Sequence, residues 1–373
     1  MTGKERMLRA LNREKPDRLP ATVHQWQGWH LEHYMGGVDA LGAFREVGLD
    51  AAIQYFEAMG QFWIPDAERY AVSSPEWNDE ITVVDPDPDH KIVHHRILTP
   101  AGTLTYKTEA DRKTTWITEY LIKRPEDLEL IERFMPVARL NHGAIAAEYE
   151  RIGDAGILRG FVWGDQAGCW QHACCLMDTE KLILEAVDHP DWVHRLLRAL
   201  LERKLRFIEE SLRGARFDLI ETGGGAGSDT VISPNLHREF CLPYDRQLHD
   251  ALHSAGHRVC YHTCGGMMNI LELIARNGAD ASETLAPPGV GGNIVDPDKV
   301  RERLGGRVAL VGGMDQFHIL TGGTPARITR EVHRLFEGFG KNGGYIMAPS
   351  DHFFETPVEN LKAFADAARD CTY

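Results

Sequence analysis

Two hydrophobic periods divide this chain. From about residue 140 onward, short apolar runs alternate with longer amphipathic stretches. The short runs, at 157–162, 217–221, 258–262, 279–285, 308–311 and 345–348, have strand character. The stretches between them, at 179–188, 191–212, 235–255, 267–277, 297–304, 325–339 and 357–370, have helical spacing. That alternation is the signature of parallel βα units. Earlier runs at 19–24 and 50–56 raise the strand count to eight, which predicts a (β/α)8 TIM barrel. A length of 373 residues suits one such barrel spanning 1–373, with an insertion.

Between about 60 and 135 the period shortens to two. Residues 80–84, 91–98, 104–107 and 114–120 alternate in polarity, and Pro, Asp and Gly turns separate them. These are hairpin signals, and they predict an antiparallel β insertion near 60–135. Residues 128–134 then read as a helix.

Charge and cysteine content narrow the function classes. With 41 basic and 55 acidic residues the formal charge is −14, which argues against nucleic-acid and anionic-membrane surfaces. Cysteines 169, 174, 175, 241, 260, 264 and 371 are odd in number and not spaced as a disulfide framework. Residues 1–12 are charged and helical in pattern, unlike a signal peptide, and no apolar run is long enough to span a bilayer. The expectation is a cytoplasmic enzyme with thiols available as ligands.

In a parallel barrel the site lies at the carboxyl ends of the strands. Polar residues at those ends are His24, Asp165, Glu221, His262 with Cys264, Glu283, Asp315, and Asp351 with His352. On extended chain, residues two apart point the same way, so His262 and Cys264 can converge on one atom. Imidazole and thiolate suit Zn²⁺; the blander alternative is a buried thiol beside a satisfied histidine. The glycines after Glu221 match neither a P-loop nor a dinucleotide fingerprint. Gly223 and Gly224 are expected to bring backbone close to a ligand or to make a tight turn. Trp26 belongs to an aromatic, imidazole-rich stretch that is either a pocket rim or a half-buried helix. Trp163, with Phe161 and Trp170, either lines an aromatic pocket or packs the core, and vicinal Cys174 and Cys175 read as core. His249, His253 and His257, spaced by four after Asp245, read as a solvated or interface face.

The HTCGG stretch at 262–266, GGMD at 312–315 and GGYIMAPS at 343–350 resemble the uroporphyrinogen decarboxylase superfamily. That superfamily includes cobalamin-dependent methyltransferases. ERMLRALNREKPDRLP at 5–20, Ile232-Ser233-Pro234, GGNIVD at 291–296, Gly323-Thr324-Pro325 and Pro357-Val358-Glu359-Asn360 extend the resemblance nearly end to end. It implies a (β/α)8 barrel. Decarboxylases of the family carry an arginine-containing stretch after the first strand, for substrate carboxylates. Here His24-Gln25-Trp26-Gln27-Gly28-Trp29-His30 stands in its place, and no arginine occurs between Arg18 and Arg45. The thiol-activating methyltransferases bind zinc through H-x-C and a second cysteine from the last strand's loop. In this chain that loop offers Asp351 or His352 instead.

The resemblance therefore implies zinc-assisted methyl transfer from a small methylated compound, such as a methoxy-aromatic, to a corrinoid protein. Zinc would be held by His262, Cys264, Glu221 and one of Asp351 or His352. Glu221, Glu283 and Asp315 are expected in catalytic or supporting roles, and His24, Trp26, Trp163, Asp165, Gly223 and Gly224 around the substrate. Cobalamin would arrive on a separate carrier, since no D-x-H-x-x-G signature is present. Barrels of this kind often pair, which leaves a homodimer open. The alternative is decarboxylation of the uroporphyrinogen type.

Overall fold

A computed structural model of the chain describes residues 1–56, 71–87, 89–164 and 168–373. In chain order its strands are β1 (Ala51–Gln54), β2 (Asn78–Asp85), β3 (Lys91–Thr99), β4 (Gly102–Ala110), β5 (Thr115–Glu119), β6 (Gly156–Phe161), β7 (Leu219–Gly223), β8 (Val259–His262), β9 (Ala281–Thr284), β10 (Ala309–Met314) and β11 (Tyr345–Pro349). Strands β1 and β6 to β11 form one parallel sheet in sequence order, while β2 to β5 form a separate antiparallel sheet. Both predicted periods are therefore realised, and the short apolar runs are the barrel staves.

The expected first strand is reduced to a bridge. Ala21 pairs in parallel with Met347, Thr22 N–H donates to Met347 O at 2.9 Å, and Met347 N–H donates to Pro20 O at 2.9 Å. On its other side Asp50 N–H donates to Ala21 O at 2.9 Å, so this segment closes the ring between β11 and β1. Pro20 has no N–H to give, which limits how far a ladder can run. The Asp50 carboxylate reinforces the closure by accepting from Arg6 Nη1 at 2.7 Å and from both terminal nitrogens of Arg18.

Interior positions alternate, as strand geometry requires. Low in the barrel, Ile157, Leu219, Cys260, Ala281, Ala309 and Ile346 pack with Met7 and Leu11 of the helix Gly3–Leu11, which plugs that end. The alanines leave room for the plug. Two residues further along their strands come Arg159, Glu221, His262 and Glu283, so a polar level lies directly above an apolar one.

The insertion sheet packs on the barrel rather than standing apart. Trp77, Ile97, Leu104, Leu121 and Met135 share one apolar core with Trp163 and Leu176. Ile122 N–H donates to Leu176 O at 2.8 Å, and Lys113 Nζ meets Glu355 Oε1 at 2.7 Å. These contacts hold β4 and β5 beside the loop that follows β11. Among the described residues no helix is long and apolar enough to cross a membrane. All seven cysteines are free.

The histidine stripe differs from expectation. His249 is fully buried, bonded through Nε2 to Thr222 Oγ1 at 2.8 Å and through Nδ1 to Asn277 O at 2.9 Å. His257 is also buried, and only His253 reaches solvent. Asp245 on the same face is buried and accepts from Tyr261 Oη at 2.9 Å. The helix Leu242–Ser254 presents His249 and Asp245 to the outer side of β7 and β8, where Thr222 and Tyr261 partner them.

Burial pushes the Asp245 carboxyl up to about 7, against the Tyr261 hydrogen bond and Lys204. Below the ordinary carboxylate range the folded and unfolded chains both hold this proton, and the group costs nothing. As pH rises toward 7 the unfolded chain releases it first, so stability falls by up to about 1.4 kcal/mol per pH unit in that window. Asp245→Asn should therefore gain stability over the wild type increasingly between pH 4.5 and 7.5. Chemical denaturation at both pH values measures this, and a pH-independent difference would contradict it.

Candidate active site

Arg159 organises the polar level. It projects inward from β6, and its Nη2 lies 2.7 Å from Glu221 Oε2 and 2.7 Å from Glu283 Oε1. All three side chains are almost completely buried. Burial opposes the guanidinium charge, but Glu283 and Glu221 outweigh it and raise the Arg159 pKa above its ordinary value. Burial likewise opposes ionisation of Glu283, yet Arg159 and His262 hold its pKa well below the usual carboxylate range. Glu221 goes the other way, pushed up to about 8 by burial and by Glu283, against Arg159. One ionised carboxylate thus lies between cations, while its neighbour keeps a proton at neutral pH.

A column of imidazoles links this level to the mouth. His262 Nδ1 is 3.0 Å from Glu283 Oε1 and 3.5 Å from Glu221 Oε1. The His24 ring lies 5.1 Å from that of His262 and 5.2 Å from that of His352. Burial lowers the pKa of His24 to about 3 and that of His352 below its usual value, so both are neutral imidazoles. For His262 burial acts downward, but the Cys264 sulfur and Glu283 outweigh it. Neutral imidazole is the form that ligates metals, so a metal taken up at His262 would displace its proton.

Among the described residues, three groups of His, Cys, Asp and Glu side chains bring donor atoms within 4.8 Å of one another: His24 with Glu221, His262 and Glu283; His24 with Asp351 and His352; and His262 with Cys264 and Asp351. The ligand set read from the sequence is therefore divided. Cys264 and Asp351 meet His262 at the mouth, whereas Glu221 meets it one level down, where Arg159 already engages its carboxylate. His352 stands beside Asp351, and its Nε2 is buried without a hydrogen-bond partner. An imidazole, a thiol and a carboxylate converging beside an orphaned imidazole nitrogen fit Zn²⁺ by donor chemistry.

Local backbone explains the convergence. Thr263 N–H donates to Glu283 O at 2.8 Å, so the β8 ladder continues past His262 and keeps Cys264 on the same side. Ser350 N–H donates to Met314 O at 2.8 Å and carries β11 toward Asp351 in the same way. The glycines after β7 make room for the thiol: a Cβ at Gly225 would come within 2.6 Å of Cys264 Sγ. Gly223 O and Gly224 N–H bond to Gly168 N–H and His262 O, each at 2.9 Å. The close approach of Gly223 and Gly224 is thus to protein backbone and to Gln171.

Cys264, Asp351 and His352 open into a cleft of about 430 Å³, walled also by Trp116, Tyr120 and Gln171. No arginine or lysine lines it among the described residues. Other predicted residues lie elsewhere. Asp315 caps the turn after β10, accepting from Phe317 N–H at 3.0 Å and His318 N–H at 2.8 Å. Trp26 is buried against Phe44 and Phe353. Trp163 is buried beside His172. Asp165 falls outside the described residues. Sequence reasoning missed Arg159, although a lone charge at an inward position of an apolar run was the available signal. It also gave the insertion no part in the site, yet β5 and Tyr120 help to wall the cleft.

Arg159→Met should destabilise the protein by about 3–5 kcal/mol, because it leaves the buried Glu283 carboxylate without its guanidinium and Glu221 without its hydrogen-bond partner. Adding Glu283→Gln should recover part of that loss. Denaturant unfolding of both variants checks this, and a near-neutral Arg159→Met would contradict it. Gly225→Ala, whose Cβ would meet Cys264 Sγ at 2.6 Å and Cys264 O at 2.9 Å, should displace Cys264 and lower metal affinity; unchanged affinity in a metal titration would contradict the packing argument.

Comparison with known proteins agrees with this architecture. A family profile described as Uroporphyrinogen decarboxylase (URO-D) matches residues 83–371. The uroporphyrinogen decarboxylase of Alcanivorax borkumensis is 25% identical over 353 residues, covering 92% of this chain and 90% of that protein. The match to the Edwardsiella ictaluri enzyme reaches 35% over 186 residues, covering 48% of each. That to the Pseudoalteromonas atlantica enzyme is 31% over 197 residues. In several of these matches the chain spans about half the length of the relative. Among solved structures, a methyltransferase from Methanosarcina mazei superposes with a TM-score of 0.66 at 20% identity, covering 99% of this chain and 98% of that one. By profile, relatives and fold together, the chain belongs to the uroporphyrinogen decarboxylase (URO-D) family.

Proposed function

We propose that the chain is a methyltransferase that moves a methyl group from a small methylated compound, such as a methoxy-aromatic, to a corrinoid on a separate carrier protein. The observation that carries this reading is the convergence of His262, Cys264 and Asp351 at a mouth whose cleft has no cationic lining. These three residues would hold zinc, with His352 next to them. Bound there, zinc supplies Lewis acidity toward the methylated heteroatom and a template for its orientation. Glu283 engages His262 Nδ1, which fixes the ring and makes Nε2 the nitrogen a metal would take. Arg159 holds Glu283 in place for that task. The cleft wall of Trp116, Tyr120 and Ala226 suits a largely apolar substrate. The fold likeness to a protein named as a methyltransferase agrees with this reading, while the residues carry its weight.

The curated relatives bear the decarboxylase name, which makes decarboxylation the competing reading. A substrate with several carboxylates needs fixed cations, and guanidinium is their natural partner. Arg159, which does point into this barrel, is engaged by Glu221 and Glu283. That arrangement favours methyl transfer.

Protein purified without chelators or a His-tag should contain about one zinc per chain, and Cys264→Ala should lose most of it. Methyl transfer from a methoxy-aromatic panel to cob(I)alamin should fall with the metal. A Cys264→Ala variant that keeps both metal and transfer would overturn the assignment. Release of CO2 from uroporphyrinogen by metal-free protein would establish the competing one.

A further inference from the structure

Beside the cleft, between the antiparallel sheet and the barrel, lies a second cavity of about 90 Å³. Its walls are mainly apolar and aromatic: Trp77, Ile97, Tyr106, Leu121, Trp163 and Leu176. Polar groups break that surface, and two of them, Asp79 and His172, carry an unpartnered buried atom. The Asp79 side chain is only 4% exposed; its Oδ2 pairs with His95 Nδ1 at 2.9 Å, while its Oδ1 is buried with no hydrogen-bond partner. His172, on the opposite wall, is buried edge-on to Trp163, and its Nδ1 is likewise without a partner. Buried polar atoms are normally satisfied, so an orphaned carboxylate oxygen beside an apolar cavity calls for a donor that the chain itself does not supply. Stacking of His95 on Tyr106, at 4.0 Å between ring centroids, fixes the imidazole that holds this carboxylate.

We infer that this cavity is a binding site for a small phenol-like aromatic molecule, its ring among the aromatic walls and its hydroxyl donating to Asp79 Oδ1. Apolar pockets with a few convergent polar groups are the usual form of small-molecule sites. Cys175 lines both this cavity and the metal-facing cleft, so the two lie side by side. The use made of the ligand rests on the methyl-transfer reading. Its binding does not, since no wall residue of this cavity belongs to the three metal-capable groups.

The test is binding of 4-fluorophenol, followed by ¹⁹F NMR, with fluorobenzene as the analogue lacking the hydroxyl. Wild-type protein should bind 4-fluorophenol at least tenfold more tightly than fluorobenzene, and Asp79→Ala should erase that preference. Leu176→Trp, which fills the cavity, should abolish binding while leaving zinc content unchanged. Leu121→Trp repeats the test from a second lining position should the first variant fold poorly. No binding to wild type, equal affinity for the two probes, or binding that survives both filling substitutions would each overturn the proposal. A protein without zinc that still binds 4-fluorophenol would sustain it while removing the methyl-transfer reading.

Discussion

The fold depends on keeping charge inside a buried barrel interior. An isolated buried carboxylate or guanidinium is prohibitively costly, and a buried pair persists only with close geometry on every side. Arg159 comes close to that condition by bridging Glu221 and Glu283 at 2.7 Å each, with His262 Nδ1 meeting the same Glu283 oxygen at 3.0 Å. Remove Arg159 and both glutamates lose their shared partner. The staves, the helix that plugs the lower end and the short closing segment at Ala21 all serve to hold this level in register.

From that level the chemistry is passed upward. Glu283 orients His262; His262 reaches the mouth beside Cys264 and Asp351; the glycine loop after β7 leaves space for the thiol. Such layering separates two demands that usually conflict. The buried level can be rigid and electrically balanced, while the half-exposed level keeps donors ready for an ion and a ligand. Membership of the URO-D family fixes the scaffold, and a scaffold of this kind hosts different reactions according to what its loops carry.

Much of this was legible in the sequence because it follows from period. Alternating short and long apolar runs revealed the barrel, two-residue alternation revealed the insertion sheet, and the spacing of His262 and Cys264 placed both on one side of an extended segment. What escaped depended on depth and on neighbours. Glu221 and Cys264 both sit near strand ends, but sequence cannot say that they occupy different levels, so they were assigned to one ion. His249 and Asp245 looked solvated among charged neighbours, yet helix rotation turns them onto β7 and β8, where Thr222 and Tyr261 satisfy them. Asp315 follows a strand, a position that suits a catalytic or supporting acid and equally a helix cap, and its carboxylate accepts from Phe317 and His318 N–H. Arg159 was overlooked because attention to strand ends passes over a charge in mid-strand.

The central claim is that the mouth of this barrel binds a metal through one thiolate together with nitrogen and oxygen donors. X-ray absorption at the zinc edge of the purified, metal-loaded protein tests it most directly. The account predicts a first shell with one sulfur at about 2.3 Å and the remaining scatterers nitrogen or oxygen at about 2.0–2.2 Å. A shell without sulfur, or a spectrum unchanged by Cys264→Ala, would contradict it.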